Sequence, residues 1–152
     1  MSHILVDFDK TLAHYETWEK NGSALGAPVA AMAERVKRWL AKGIEVRVFT
    51  ARAAPSNPRQ EQDIGKIEAW CEEVFGHALP VTNQKDFETL AIWDDLAVTV
   101  EPNTGWRMGE GLHTSENLTY DEELELSGWK QKMGNLEEIE LRGSHAHGGS
   151  VA

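Results

Sequence analysis

The sequence predicts an α/β fold, with a mostly parallel sheet and helices packed on its faces. Two observations carry that prediction. Apolar strand-like runs alternate with helical patterns along the first hundred residues, and parallel neighbours need such crossover segments to connect them. Carboxylates and hydroxyls also gather at the C-terminal ends of the runs, beyond which ligands bind in open sheets of this kind. Residues 4–9, Ile-Leu-Val-Asp-Phe-Asp, open as a continuous apolar run and end in Asp7 and Asp9. From Pro28 to Lys42 the residues Val29, Met32, Val36 and Leu40 recur at helical spacing, with Pro28 suited to a first turn and Gly43 to a stop. Glu45 to Thr50 reads as a second strand.

The stretch Ala53 to Gln62, with Pro55, Asn57 and Pro58, reads as a loop. A second helix follows, with Ile64, Ile67, Cys71, Val74 and Phe75 on one face and Gly76 at its end. Leu79 to Thr82, Leu90 to Trp93 and Ala97 to Val100 are three further short strand candidates, the middle one ending in Asp94-Asp95. The expected organisation is a core over residues 1–109, an acidic segment over 110–142 with a helix from Thr119 to Met133, and a flexible tail over 143–152.

At 152 residues and 41% hydrophobic, the chain has material for one core. No apolar run approaches the ~20 residues of a membrane span, and no signal-peptide pattern opens the chain, so a soluble cytoplasmic protein without membrane partners is expected. The lone Cys71 reads as a core residue. A formal net charge of -10 argues against broad nucleic-acid binding, which draws on Lys and Arg. Nine acidic and three basic residues fall within 110–142, so a local basic groove elsewhere is not excluded.

Asp7 and Asp9, two apart at a strand end, suit phosphoryl transfer. One carboxylate attacks phosphorus, and the other protonates the leaving oxygen and later activates water. Asp7, Asp9, Asp94 and Asp95 together would repel one another and the substrate unless a hard cation such as Mg²⁺ intervened.

The run Asp7-Phe8-Asp9-Lys10-Thr11-Leu12 resembles the first motif of the haloacid dehalogenase-like (HAD) hydrolase superfamily, and three later motifs follow in order. Val48-Phe49-Thr50-Ala51-Arg52 resembles the second, Lys85 after Val81-Thr82-Asn83-Gln84 the third, and Ile92-Trp93-Asp94-Asp95 the fourth. The resemblance implies a three-layer Rossmann-like fold and a phosphatase that forms an aspartyl-phosphate on Asp7, with Asp9 as acid/base. It further implies that Thr50 and Lys85 hold the phosphoryl group, that Thr11 supports the loop, and that Asp7, Asp9, Asp94 and Asp95 bind Mg²⁺. Phe8, Lys10, Ala51, Arg52 and Trp18 are then the substrate-facing candidates, Trp18 because the superfamily's flap lies there.

Two departures from the family pattern stand out. Lys10 occupies a position where glycine is common, and Lys85 lies only nine residues before Asp94, so the usual intervening helix is reduced or absent. With 38 residues between Thr11 and Thr50 and 34 between Thr50 and Lys85, neither gap has room for a cap domain. A capless site suits a large substrate or closure by oligomerisation. The expected partner is a phosphorylated small molecule or macromolecule, discriminated by the flap around Trp18 and the loop from Ala53 to Gln62. A catalytically weak phosphate- or nucleotide-binding module and an oligomerising interaction protein are the alternatives. Trp39 and Trp70 read as packing residues, and His14, His145 and His147 as incidental.

Overall fold

The computed structural model describes residues 1–105 together with 108, 109, 112 and 113. Two compact units divide the chain, Met1–Ala97 and Val98–Ala152. In the first, β1 (His3–Asp7), α1 (Trp18–Asn21), α2 (Ala30–Ala41), β2 (Glu45–Phe49), α3 (Gln60–Phe75), β3 (Val81–Thr82) and β4 (Thr89–Trp93) follow in order. The four strands form one all-parallel sheet in the order β3-β2-β1-β4, so the α/β expectation holds. In the second unit, β5 (Met108–Gly109) and β6 (Leu112–His113) pair antiparallel.

Parallel pairing sets Ile4 beside Val46 and Val6 beside Val48, so these four side chains share one face. Met32 and Val36 of α2 and Ile67 and Cys71 of α3 pack on that same face in a single core cluster. Two successive crossovers stepping in one direction along a sheet put their helices on one side, because such crossovers are right-handed. Among the described residues no helix covers the opposite face, so the third layer is not part of what they form. Residues 83–88, which join β3 at one edge to β4 at the other, are too few to carry one. This segment is instead tied down by polar contacts: Asp86 lies 3.6 Å from Arg47 and 3.7 Å from the buried His3, and Glu88 O accepts from His3 N.

Several boundaries differ from expectation. Trp18 is not in a loop but opens α1, which Thr17 caps by accepting from Lys20 N. Residues 60–62, expected in a loop, form the first turn of α3, and Ala51–Ala53 make a short 3-10 turn. Ala97–Val100 is not a strand, and its four residues are exposed. Gly76 ends α3 in the left-handed conformation (φ 89°), as its sequence position suggests. The acidic helix from Thr119 to Met133 and the tail with His145 and His147 lie outside the described residues.

Lys10 adopts φ 72° in the tight turn after β1, a left-handed conformation that glycine takes without strain. Its N–H donates to Ala13 O at 2.8 Å, and Phe8 O accepts from the N–H groups of Leu12 and Ala13. Lys10→Gly relieves a left-handed penalty of about 1 kcal/mol and adds unfolded-state entropy of similar size. Urea unfolding is therefore expected to show Lys10→Gly within about 1 kcal/mol of the parent; a larger loss would mean that the lysine side chain itself holds the turn.

Candidate functional site

The order β3-β2-β1-β4 makes the junction of β1 and β4 the point where the direction of strand addition reverses. In doubly wound sheets the crevice beyond the strand ends at such a point is where ligands bind. Asp7 is the last residue of β1, and Asp94 and Asp95 directly follow β4. One carboxylate oxygen from each of the three lies within 4.8 Å of the other two. Strand pairing therefore brings together acidic groups that are nearly ninety residues apart in sequence.

Thr11 ties the cluster together. Its hydroxyl reaches Asp7 Oδ2 at 3.0 Å and Asp95 Oδ1 at 3.3 Å, and its oxygen accepts from Asp95 N at 3.1 Å. A hydroxyl has one proton, so it donates to one carboxylate at a time. Burial, followed by the charge of Asp94 and a hydrogen bond with Asp95, pushes the Asp7 carboxyl up to about 8; the Thr11 hydroxyl opposes this. The cluster thus holds a proton where a carboxylate is ordinarily bare. Oxygen donors of this kind fit a hard divalent cation, which would replace that proton, with Asp7, Asp94 and Asp95 as its ligands.

Asp9 is not one of these three clustered carboxylates. Its carboxylate accepts two hydrogen bonds from Arg52, from Nε at 2.7 Å and from Nη2 at 3.0 Å. Arg52 also donates to the carbonyls of Ser23 and Ala24 and lies 3.7 Å from the fully buried Asp63. The guanidinium thus links the first strand's end, the flap (residues 14–27) and α3. Trp70 Nε1 donates to Gly26 O at 2.9 Å, and a Cβ on Gly26 would sit 1.8 Å from His14 O, so the flap is closely seated.

Thr50 lies just past β2, buried, with its hydroxyl accepting from Arg52 N. Ala51 and Trp18 line a hollow of about 350 Å³ with Asp9 and Arg52. Lys10 is exposed. Phe8 does not face a ligand: its ring is fully buried, edge-on to Trp70 with centroids 5.0 Å apart, and it is a core residue. Lys85 is exposed on the connecting segment and makes no ion pair with Asp7 or its neighbours among the described residues. The structure thus forms two groups, Asp7 with Thr11, Asp94 and Asp95, and Asp9 with Arg52 and Thr50, and leaves Lys85 out of both.

Sequence reasoning passed over Tyr15, Arg59 and Asp63, which line the same hollow. For Asp63 a signal existed: it stands four residues before Ile67 and eight before Cys71, on the apolar face of α3. Tyr15 and Arg59 had only their place in the flap and loop. Comparison with family models, curated proteins and solved structures found no match to this chain.

Because Asp7 titrates near 8 in the folded chain and near 3.8 when unfolded, the native state binds the extra proton between those values. The stability associated with it is present below about 4 and is lost as pH rises to about 8. In a chelator, the thermal midpoint of the parent should therefore fall relative to that of Asp94→Asn as pH is raised from 5 to 8, because that variant removes a charge raising Asp7. A divalent cation added at pH 8 should raise the parent's midpoint and act weakly on the variant. Parallel pH profiles, or equal cation responses, would contradict the shared-charge account.

Proposed function

We propose that this chain is a magnesium-dependent phosphomonoester hydrolase of the HAD-like type. The observation that carries the reading is the convergence of Asp7, Asp94 and Asp95 at the β1–β4 junction, with a second, separately held carboxylate, Asp9, two residues from Asp7. The motif order in the sequence agrees with it.

In this reading an oxygen of Asp7 attacks phosphorus, a P–O bond to Asp7 forms, and the P–O bond to the leaving group breaks. Asp9, in its protonated form, delivers a proton to the departing oxygen, and the Arg52 guanidinium stabilises the carboxylate that this leaves. Asp9 then takes a proton from the water that attacks phosphorus, the Asp7–phosphorus bond breaks, and inorganic phosphate leaves. Asp7, Asp94, Asp95 and the carbonyl of Asp9 would hold Mg²⁺, which when bound neutralises the crowded carboxylates and the phosphoryl charge. Arg52 orients Asp9 through both carboxylate oxygens, and Thr50 follows Phe49, the residue that pairs with Asp7 in the sheet.

A second reading, phosphate binding with weak turnover, is favoured by the exposed position of Lys85, the cation that the family motif sets against the nucleophile. The two readings differ in a simple assay. Hydrolysis of p-nitrophenyl phosphate should require Mg²⁺ and should fall on the order of 10³-fold or more in Asp7→Asn, and by about 10²- to 10⁴-fold in Asp9→Asn. Tight inorganic phosphate binding without turnover by the parent would favour the second reading.

A further inference from the structure

The hollow beside Asp9 contains two arginines in different electrostatic states. Arg52 is fully engaged, with both oxygens of Asp9, the neighbouring Asp63 and two flap carbonyls as partners. Asp63 in turn takes the Asn57 amide on Oδ2 at 2.9 Å. Arg52 thus serves two carboxylates with one charge: Asp9 is paired through both oxygens, while Asp63 Oδ1, 3.7 Å from Arg52, has no hydrogen-bond partner among the described residues. Arg59 is different: no carboxylate lies within ion-pairing distance of it among the described residues, and its Nε, though shielded from solvent, has no hydrogen-bond acceptor. Its guanidinium lies over the ring of Trp18, 5.0 Å from the centroid.

An arginine with an aromatic ring for a neighbour, no carboxylate within 4 Å and a free Nε donor is a ready partner for a ligand anion. The surroundings define what kind of ligand. Trp18 is more than half exposed, and Tyr15 stands in the same hollow with the Arg52 guanidinium 5.8 Å from its ring. About 350 Å³ accommodates one ring with a substituent. Arg59 also lines an adjoining hollow of about 430 Å³ with Pro55, Asn57, Pro58 and residues 60–62, Glu61 among them, so the site extends outward past it. Since Asp9 lines this hollow, the part of a substrate that enters it is the leaving group, not the phosphoryl group transferred to Asp7.

We infer that Arg59, with Trp18 and Tyr15, forms a subsite for a planar leaving group that carries a second anion, a carboxylate or a further phosphate. Arg59 is then a specificity-determining residue, and the substrate class is phosphomonoesters with a second negative charge on an aromatic body. This rests on the phosphatase reading for the location of the leaving group. Arg59 makes no side-chain cap to α3, so its replacement leaves the helix start intact.

The test compares phenyl phosphate, 4-carboxyphenyl phosphate and 1,4-phenylene bisphosphate as substrates. The parent should favour the two esters with a second anionic group by at least tenfold in kcat/KM. Arg59→Gln should reduce that preference at least tenfold, and Arg59→Lys, which keeps the charge but loses the planar fork, should retain part of it. Unequal rates for the carboxylate and bisphosphate esters identify which second anion is preferred. Binding provides an arm independent of turnover: calorimetry should show 4-carboxybenzylphosphonate binding the parent at least tenfold more tightly than benzylphosphonate. Absence of hydrolysis with that binding preference intact would overturn the phosphatase reading and leave the subsite standing. Equal binding of the two phosphonates, or an ester preference unchanged in Arg59→Gln, would overturn the subsite.

Discussion

Crowding of negative charge at the junction of β1 and β4 sets the terms for the rest of this molecule. Two full charges less than 5 Å apart repel by roughly 3 kcal/mol even at an effective dielectric of ~20, and here there are three. The folded chain has two ways to relieve that cost. It can hold a proton on Asp7, as the raised value of about 8 indicates, or it can hold a cation. Thr11 supports either state, because its hydroxyl donates to a carboxylate and accepts from the Asp95 N–H.

Such crowding is sustained by the sheet. β1 and β4 are hydrogen-bonded neighbours, so the positions of Asp7 and Asp94 follow from register and not from flexible loops. The buried face of Ile4 and Val6 against α2 and α3 fixes which way β1 faces, and Trp93, paired with Val6, packs edge-on against Trp39 of α2, so a slip of β4 by one residue would turn that ring away. Asp9 escapes the cluster because the chain turns sharply after β1 and Arg52 draws its carboxylate toward the flap. Two carboxylates only two residues apart thus acquire different surroundings, Asp7 against Asp94 and Asp95 and Asp9 against Arg52.

Much of this was legible in the sequence. The apolar run of β1, the spacing of α2, the Gly76 stop and the carboxylates at strand ends are local signals, and the structure follows them. What was not legible depends on tertiary contact. Phe8 lies between two aspartates and so reads as a site residue, yet residue i+1 at a strand end points to the opposite face, into the core. The pairing of Arg52 with Asp9 spans forty-three residues, and nothing local distinguishes it from a substrate-binding arginine. Ala97–Val100 is apolar enough for a strand but forms none. Lys85 matches a motif by order alone, and the six-residue link between β3 and β4 leaves it exposed.

The central claim is that Asp7 carries the phosphoryl group in turnover. Acid quenching of the parent during hydrolysis of an aryl phosphate, followed by peptide mass spectrometry, examines it directly. The account predicts a phosphoryl group on Asp7 in the quenched parent and none in Asp7→Asn. Turnover with an unmodified Asp7, or with the phosphoryl group on another residue, would contradict it.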